Sequence, residues 1–162
     1  MTRTRFDHFP CSIAQTLNVI EDQWAWLIIR DIRMGNRRFT GLQQTLGISK
    51  KVLTARLNVL HQHGLIELIE TGNPRGGYRL TQKGQELMGV MQMMISWGDK
   101  WLYGGSGPIT FTHTCGKTSH AKVVCDQCGE EILPGSMQVH PSDQMPEAEQ
   151  KNWFRYFEVA ET

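Results

Sequence analysis

Four cysteines and six histidines are the side chains of this 162-residue sequence best suited to binding a metal or meeting an oxidant. Three of the cysteines fall late. Cys125-Asp126-Gln127-Cys128-Gly129 has the spacing of a metal knuckle, in which two thiolates converge across a turn and the glycine lets the chain bend back. Cys115-Gly116 repeats half of that pattern, with His113 two residues upstream. Cys115, Cys125, Cys128 and His113 together would make a tetrahedral zinc site, with His120 competing for the histidine position and His140 a further candidate. Without metal the same residues are reduced thiols in a small appendage. No histidine–glutamate pair stands beside them to activate a water, so the expected zinc is structural. Cys125 and Cys128 are alternatively a thiol redox pair, but that chemistry normally sits where a helix opens after a strand and its dipole lowers a thiol pKa. Gly129-Glu130-Glu131, short apolar runs and Pro134 do not read as that helix.

A second constellation lies mid-chain. Ser49 can cap a helix running from Lys50 to His63 and stopping at Gly64. At about 100° per residue, Leu53, Leu57 and Leu60 share a core-facing stripe, and Lys51, Thr54, Ala55 and Asn58 share the opposite side. That outward face is small, polar and cationic. Lys and Asn reach base edges in a major groove, while Ala and Thr allow close approach to a thymine methyl. Ser49 and Lys50 stand at the helix start, where unpaired amides favour a phosphate. Arg37 and Arg38 just before the motif are candidate phosphate contacts, and Arg75 crowns a Gly/Pro-rich turn able to enter a minor groove.

The elements that must hold these residues can be read from periodicity and punctuation. Cys11 to Val19 is a short helix with Ile13, Leu17 and Ile20 on one side. Gln23 to Met34 is a second helix, ended by Gly35 and Asn36. Arg37 to Phe39 has the composition of a very short strand, and Thr40 is the expected cap of a third helix, Gly41 to Leu46, which stops at Gly47. After the Lys50–His63 helix come two strand-like runs, 65–70 and 77–80, joined by a turn over 71–76. Thr81 caps a long helix to about Leu102 that is apolar on nearly every face between Leu87 and Trp101. A helix greasy all round is buried on more than one side. A second copy of the chain is the natural cover; the chain's own C-terminal segment is the alternative. Its methionines suit core filling and, second, a ligand pocket.

Charge distribution supports a polyanionic partner. Residues 30–83 hold ten basic residues against three acids, and no acid falls between Asp31 and Glu67. Residues 126–162 carry a net charge of −6, although the whole chain is only +1. A basic middle beside an acidic tail is the footprint of nucleic-acid binding, and the alternative is a solvated surface whose charges cluster. The apolar run at 87–97 is interrupted by Gly89, Gln92 and Ser96 and is too short to span a bilayer, and residues 1–10 lack the apolar stretch of a signal peptide. A cytoplasmic location is expected, with thiols and not disulfides.

The order of motifs resembles the HxlR-type regulators, similar in turn to MarR-type regulators. The matching residues are Trp24 with Leu27-Ile28-Ile29-Arg30; Arg38-Phe39 and Leu42; Gly47 through Leu57; Gly64-Leu65-Ile66; Pro74-Arg75, Tyr78, Leu80-Thr81 and Gly84; and Trp97-Gly98. The resemblance implies a cytosolic bacterial homodimer that represses or activates nearby genes. It also implies pairing through the first and last helices, with the Ser49–His63 helix as reader. Some members sense electrophiles or oxidants through a first-helix cysteine, and Cys11 takes that place. Here Pro10 precedes it and Ser12 follows, where the family often has Cys-Pro, and Glu21-Asp22 replace a common glycine pair. Burial as a small apolar residue is the other reading of Cys11.

The expected architecture is mainly α with a small β-wing: a winged helix-turn-helix over 1–103, a linker over 104–108, and a small β-rich, Cys/His-bearing appendage over 109–162. The expected function is a non-enzymatic, homodimeric regulator binding palindromic double-stranded DNA, answering to a small-molecule or electrophile effector and having no membrane partner. A thiol/metal redox protein using Cys125 and Cys128, or a winged helix that binds only proteins, are the competing readings.

Overall fold

The computed structural model describes residues 5–20, 22–69 and 76–150. Its elements run α1 (Ser12–Ile20), α2 (Gln23–Arg33), α3 (Phe39–Leu46), α4 (Lys50–Gln62), β1 (Ile66–Ile69), β2 (Gly77–Leu80) and α5 (Gln82–Leu102). The helices form as the capping residues direct. Asp22 accepts from the Ala25 N–H, Ser49 from Val52 and Thr81 from Gly84, each satisfying an amide that the first helical turn leaves unpaired. α3 departs from expectation. It begins at Phe39, its cap is Arg38 with no side-chain bond, and Thr40 lies inside it. The short strand expected at Arg37–Phe39 is a single link, the Tyr78 N–H donating to the Arg37 carbonyl at 2.8 Å.

β1 and β2 pair antiparallel, with Ile66 opposite Leu80 and Ile69 opposite Gly77, and form the wing. The two strands and α2–α5 enclose one core. Ile28, Ile29 and Ile32 of α2 meet Leu42 of α3, the Leu53–Leu57–Leu60 stripe of α4, and Leu65, Ile66 and Leu80 at the wing root. Each such aliphatic side chain contributes about 1.5–3 kcal/mol on burial.

A buried carboxylate ties α2 to α3. Asp31 takes Arg30 Nε and Nη2 on one oxygen, at 2.9 and 2.7 Å, and the Thr45 hydroxyl on the other, at 2.6 Å. Asn36 Nδ2 donates to that same Thr45 oxygen at 3.0 Å, which leaves the hydroxyl proton for Asp31. At the start of α5 the Thr81 hydroxyl donates to the Gly64 carbonyl at 2.6 Å, so the cap also pins the turn after α4. Gly84 sits directly on the Leu65 carbonyl, and a Cβ there would overlap the oxygen.

α1 touches the core only at its end. Ile20 is buried, but Ile13 and Leu17, expected on the same inward side, are exposed. α5 divides its apolar surface. Met91 is buried, with Leu87, Met88 and Ile95 against the core. Val90, Met94, Trp97 and Trp101 stay exposed.

Beyond α5 the chain turns back at Gly104-Gly105, the Gly105 N–H bonding the Asp99 carbonyl at 2.7 Å. It then runs along the helix, where the Ala121 N–H donates to Ser96 Oγ at 3.2 Å. Among the described residues the segment from 109 on is not β-rich as expected. Its β pairing there is two isolated bridges, Thr112 with Thr118 and Val124 with Glu131. Each closes a local turn, so no strand propagates. Among the described residues, no helix is long and apolar enough to cross a membrane.

Candidate nucleic-acid interface

The helix-turn-helix is made by α3, Gly47 and α4. Gly47 adopts φ +64°, a left-handed cap that costs a glycine little. Ile48, buried, anchors the turn beneath it. Leu53, Leu57 and Leu60 face the core with at most 2% exposure, which rotates the opposite side of α4 outward. Lys50, Lys51, Thr54, Ala55 and Asn58 are all exposed on it, and Ser49 caps it. Arg56 falls between the two faces and is half-buried. It forms an ion pair with Asp22 at 2.5 Å, both partners largely covered, which locks α4 against the start of α2.

The cations around α4 fall into two groups. Arg79 pairs across the wing with Glu67 at 2.7 Å, a surface pair worth about 0–1 kcal/mol. Arg37, Arg38, Lys50 and Lys51 have no acidic partner among the described residues. Arg37 and Arg38 border an open cleft of about 430 Å³ between the α2–α3 turn and the base of the wing, with Thr40, Gln44 and Gly77 on its walls. Thr40 and Gln44 were not expected here. Their i, i+4 spacing on α3 was the available signal, masked by reading Thr40 as a cap. Tyr78, on β2 and half-buried against the core, has its phenol pushed up by burial and stays neutral. Arg75, the expected wing tip, lies outside the described residues, as does the aromatic stretch Trp153, Phe154, Tyr156 and Phe157.

The cysteines behave differently from expectation. Cys11 is not buried; it is exposed immediately before α1, its carbonyl accepting from the Gln15 N–H at 3.0 Å. Cys125 and Cys128 share one turn. Hydrogen bonds from the Cys128 and Gln127 backbone N–H groups, and then from the Cys128 thiol, hold the Cys125 thiol below the ordinary cysteine value. No helix opens there, so no macrodipole assists. His113 and Cys115 share a separate turn, in which the Cys115 N–H already occupies His113 Nδ1 at 3.3 Å. Among the described residues no three Cys, His, Asp or Glu side chains gather closely enough to hold a metal ion. The expected zinc set of Cys115, Cys125, Cys128 and His113 is therefore not brought together. Each pair is closed by its own local turn, and no ladder draws the two turns into one site.

Comparison with known proteins falls on the same segment. Residues 19–105 match the model of the HxlR-like helix-turn-helix family. Rv3095 of Mycobacterium tuberculosis, named an uncharacterized HTH-type transcriptional regulator, is 34% identical over 134 residues, spanning 80% of this chain and 85% of its own. The crystal structure of PA1607, a candidate transcription factor, superposes with a TM-score of 0.75 at 27% identity, over 86% of this chain and all of that one. The HTH-type regulator YtcD of Bacillus subtilis is 31% identical over 93 residues, 56% of this chain and 74% of its own.

Proposed function

The chain belongs to the HxlR-like helix-turn-helix family, and from that premise we propose that it acts as a homodimer on a palindromic operator, one α4 helix in each of two major grooves. Membership makes it a transcriptional regulator with a helix-turn-helix DNA-binding fold. The observation that carries the finer reading is the outward side of α4. Lys51, Thr54, Ala55 and Asn58 are exposed together on a helix whose other side is locked into the core. Lys51 and Asn58 read base edges, and Thr54 and Ala55 permit the close approach this needs. Ser49, Lys50, Arg37 and Arg38 take phosphates, the arginines from the cleft beside the wing.

A two-fold dimer supplies two readers about 34–36 Å apart, one turn of duplex. Support for it comes from the exposed stripe Val90, Met94, Trp97 and Trp101 on α5, spaced four, three and four residues apart, together with Ile13 and Leu17 on α1. Such a seam needs a cover, and the chain's own returning segment lies instead along Ser96 and Asp99. In this reading residues 1–103 bind DNA and pair, 104–108 are the linker, and 109–162 are an accessory segment. DNA affinity answers to a small-molecule effector.

The test is selection of bound genomic fragments followed by titration of the recovered duplex. The Lys51→Ala and Asn58→Ala variants each lose about 5- to 100-fold in specific affinity. Lys51→Ala also flattens the dependence of log K on log salt, since one counterion-releasing contact is gone. Unchanged affinity in the double variant overturns the placement of the reading face.

A further inference from the structure

Around the isolated Val124–Glu131 bridge the chain doubles back on itself, and the tip of that fold carries two thiols. The Ile132 N–H donates to the Val123 carbonyl at 2.9 Å, and the Cys125 N–H to the Glu130 carbonyl at 2.8 Å, on either side of the bridge. Lys122 pairs with Glu131 at its base, at 2.6 Å. The tip is closed by the Gly129 N–H on the Cys125 carbonyl at 2.8 Å, with Gly129 at φ +76°, a left-handed conformation that costs a glycine little. Cys125 and Cys128 therefore stand in one fixed turn, Cys128 exposed and Cys125 half-buried. Three donors meet on the Cys125 sulfur: the backbone N–H groups of Cys128 and Gln127, and the Cys128 thiol itself. That last bond sets the two sulfurs side by side. The amides do here what a helix N-terminus does for other thiol pairs, favouring the thiolate, which is the nucleophilic form. A structural metal would need two more ligands. Among the described residues no third Cys, His, Asp or Glu joins the pair, and Cys115 lies in its own turn with His113.

We propose that Cys125 and Cys128 form a reversible dithiol–disulfide site that exchanges with small disulfides of the glutathione class. The Cys125 thiolate attacks one sulfur of the small disulfide. A bond forms between the two, the S–S bond of the reagent breaks, and the departing thiolate takes up the proton that Cys125 gave up. Cys128, giving up its own proton, then attacks the Cys125 sulfur of this mixed disulfide and expels the second small thiolate, which takes that proton. Two cysteines are oxidised to one disulfide, and one small disulfide is reduced to two thiols. The amides that favour the thiolate also stabilise the reduced pair, and an exposed disulfide of this kind reopens readily. The site is therefore a switch and not a permanent brace. It goes beyond the DNA-binding reading and needs neither operator nor dimer.

The test uses the full chain without DNA and oxidised glutathione as probe, followed by acid quenching and peptide mapping by mass spectrometry. Cys11 and Cys115 are exposed thiols elsewhere on the chain and serve as internal references. Cys125 is expected to react about 5-fold or more faster than either near pH 7. The product is a Cys125–Cys128 disulfide, two hydrogens lighter than the reduced chain, and excess reduced glutathione reopens it. Cys128→Ser halts the reaction at the mixed disulfide on Cys125. Cys125→Ser leaves Cys128 no faster than Cys11. Mapping of the parent chain decides the matter even where a variant fails to fold. Glutathione on all four cysteines at similar rates, with no internal disulfide, overturns the proposal. An internal disulfide from Cys115 to either residue overturns the assigned pair. One tightly held zinc per chain that shields both thiols until a chelator removes it assigns the turn to metal, and overturns the exchange site.

Discussion

Replacing Thr45 by Val removes one hydroxyl from the joint between α2 and α3, and its cost follows from the geometry of Asp31. The Asp31 side chain is only 8% exposed. One carboxylate oxygen keeps both Arg30 contacts, while the other has Thr45 as its donor, at 2.6 Å. A hydrogen bond to a charged group contributes about 1.5–3 kcal/mol, and stranding a buried charge costs more than losing the bond. Thr45 itself is exposed, so water reaches the vacated position and recovers part of the loss. The expected destabilisation is about 1–2 kcal/mol, which for a chain of this size lowers Tm by about 2–8 °C. Thr45→Ser keeps the donor and loses a methyl, so it stays within about 1 kcal/mol of the parent. The assay is thermal unfolding at one fixed protein concentration, because mass action moves the Tm of any oligomer. A double-mutant cycle with Asp31→Asn isolates the pair, with a coupling energy of about 1 kcal/mol expected. Coupling within about 0.3 kcal/mol of zero, with Thr45→Val as stable as Thr45→Ser, refutes the claim that this bond fastens α3 to α2.

Three further outcomes can be measured. Two glycines of α5 should respond oppositely to alanine: Gly84→Ala drives a Cβ into the Leu65 carbonyl and destabilises by about 1–3 kcal/mol, whereas Gly89→Ala meets nothing and stabilises by about 0.5–1 kcal/mol; denaturant titration distinguishes them. Trp97→Glu places a charge on the exposed α5 stripe and shifts sedimentation toward monomer at micromolar concentration, with operator affinity falling in parallel; an unchanged particle mass argues against pairing through that stripe. The depressed Cys125 thiol predicts a pH profile: the thiolate is the reactive form and persists to lower pH, so iodoacetamide labels Cys125 with a midpoint below that of ordinary cysteine, and unfolding in urea moves the midpoint back up. Equal midpoints before and after unfolding contradict the hydrogen-bonded turn.

What the sequence determined by itself is the set of local decisions. Ser49 and Thr81 cap where short polar side chains before apolar periodicity must cap, and Gly47 and Gly64 close α3 and α4 because few other residues turn the chain there. The Leu53–Leu57–Leu60 stripe fixed which side of α4 is outward, since 3.6 residues per turn leaves no other arrangement once those leucines are buried. Tertiary structure decided everything that depends on which segments meet. α3 starts at Phe39 without a side-chain cap, while its last turn is held from α2 by the Thr45–Asp31 bond, a contact between segments that local pattern does not record. Ile13 and Leu17 share the periodicity of Ile20 yet face outward, because only the end of α1 reaches the core. The Cys/His spacing indicated a four-ligand site, but spacing along a chain sets only which residues a single turn gathers. Bringing His113 and Cys115 to Cys125 and Cys128 needs a pairing between two turns, and that is a long-range property that no local pattern records.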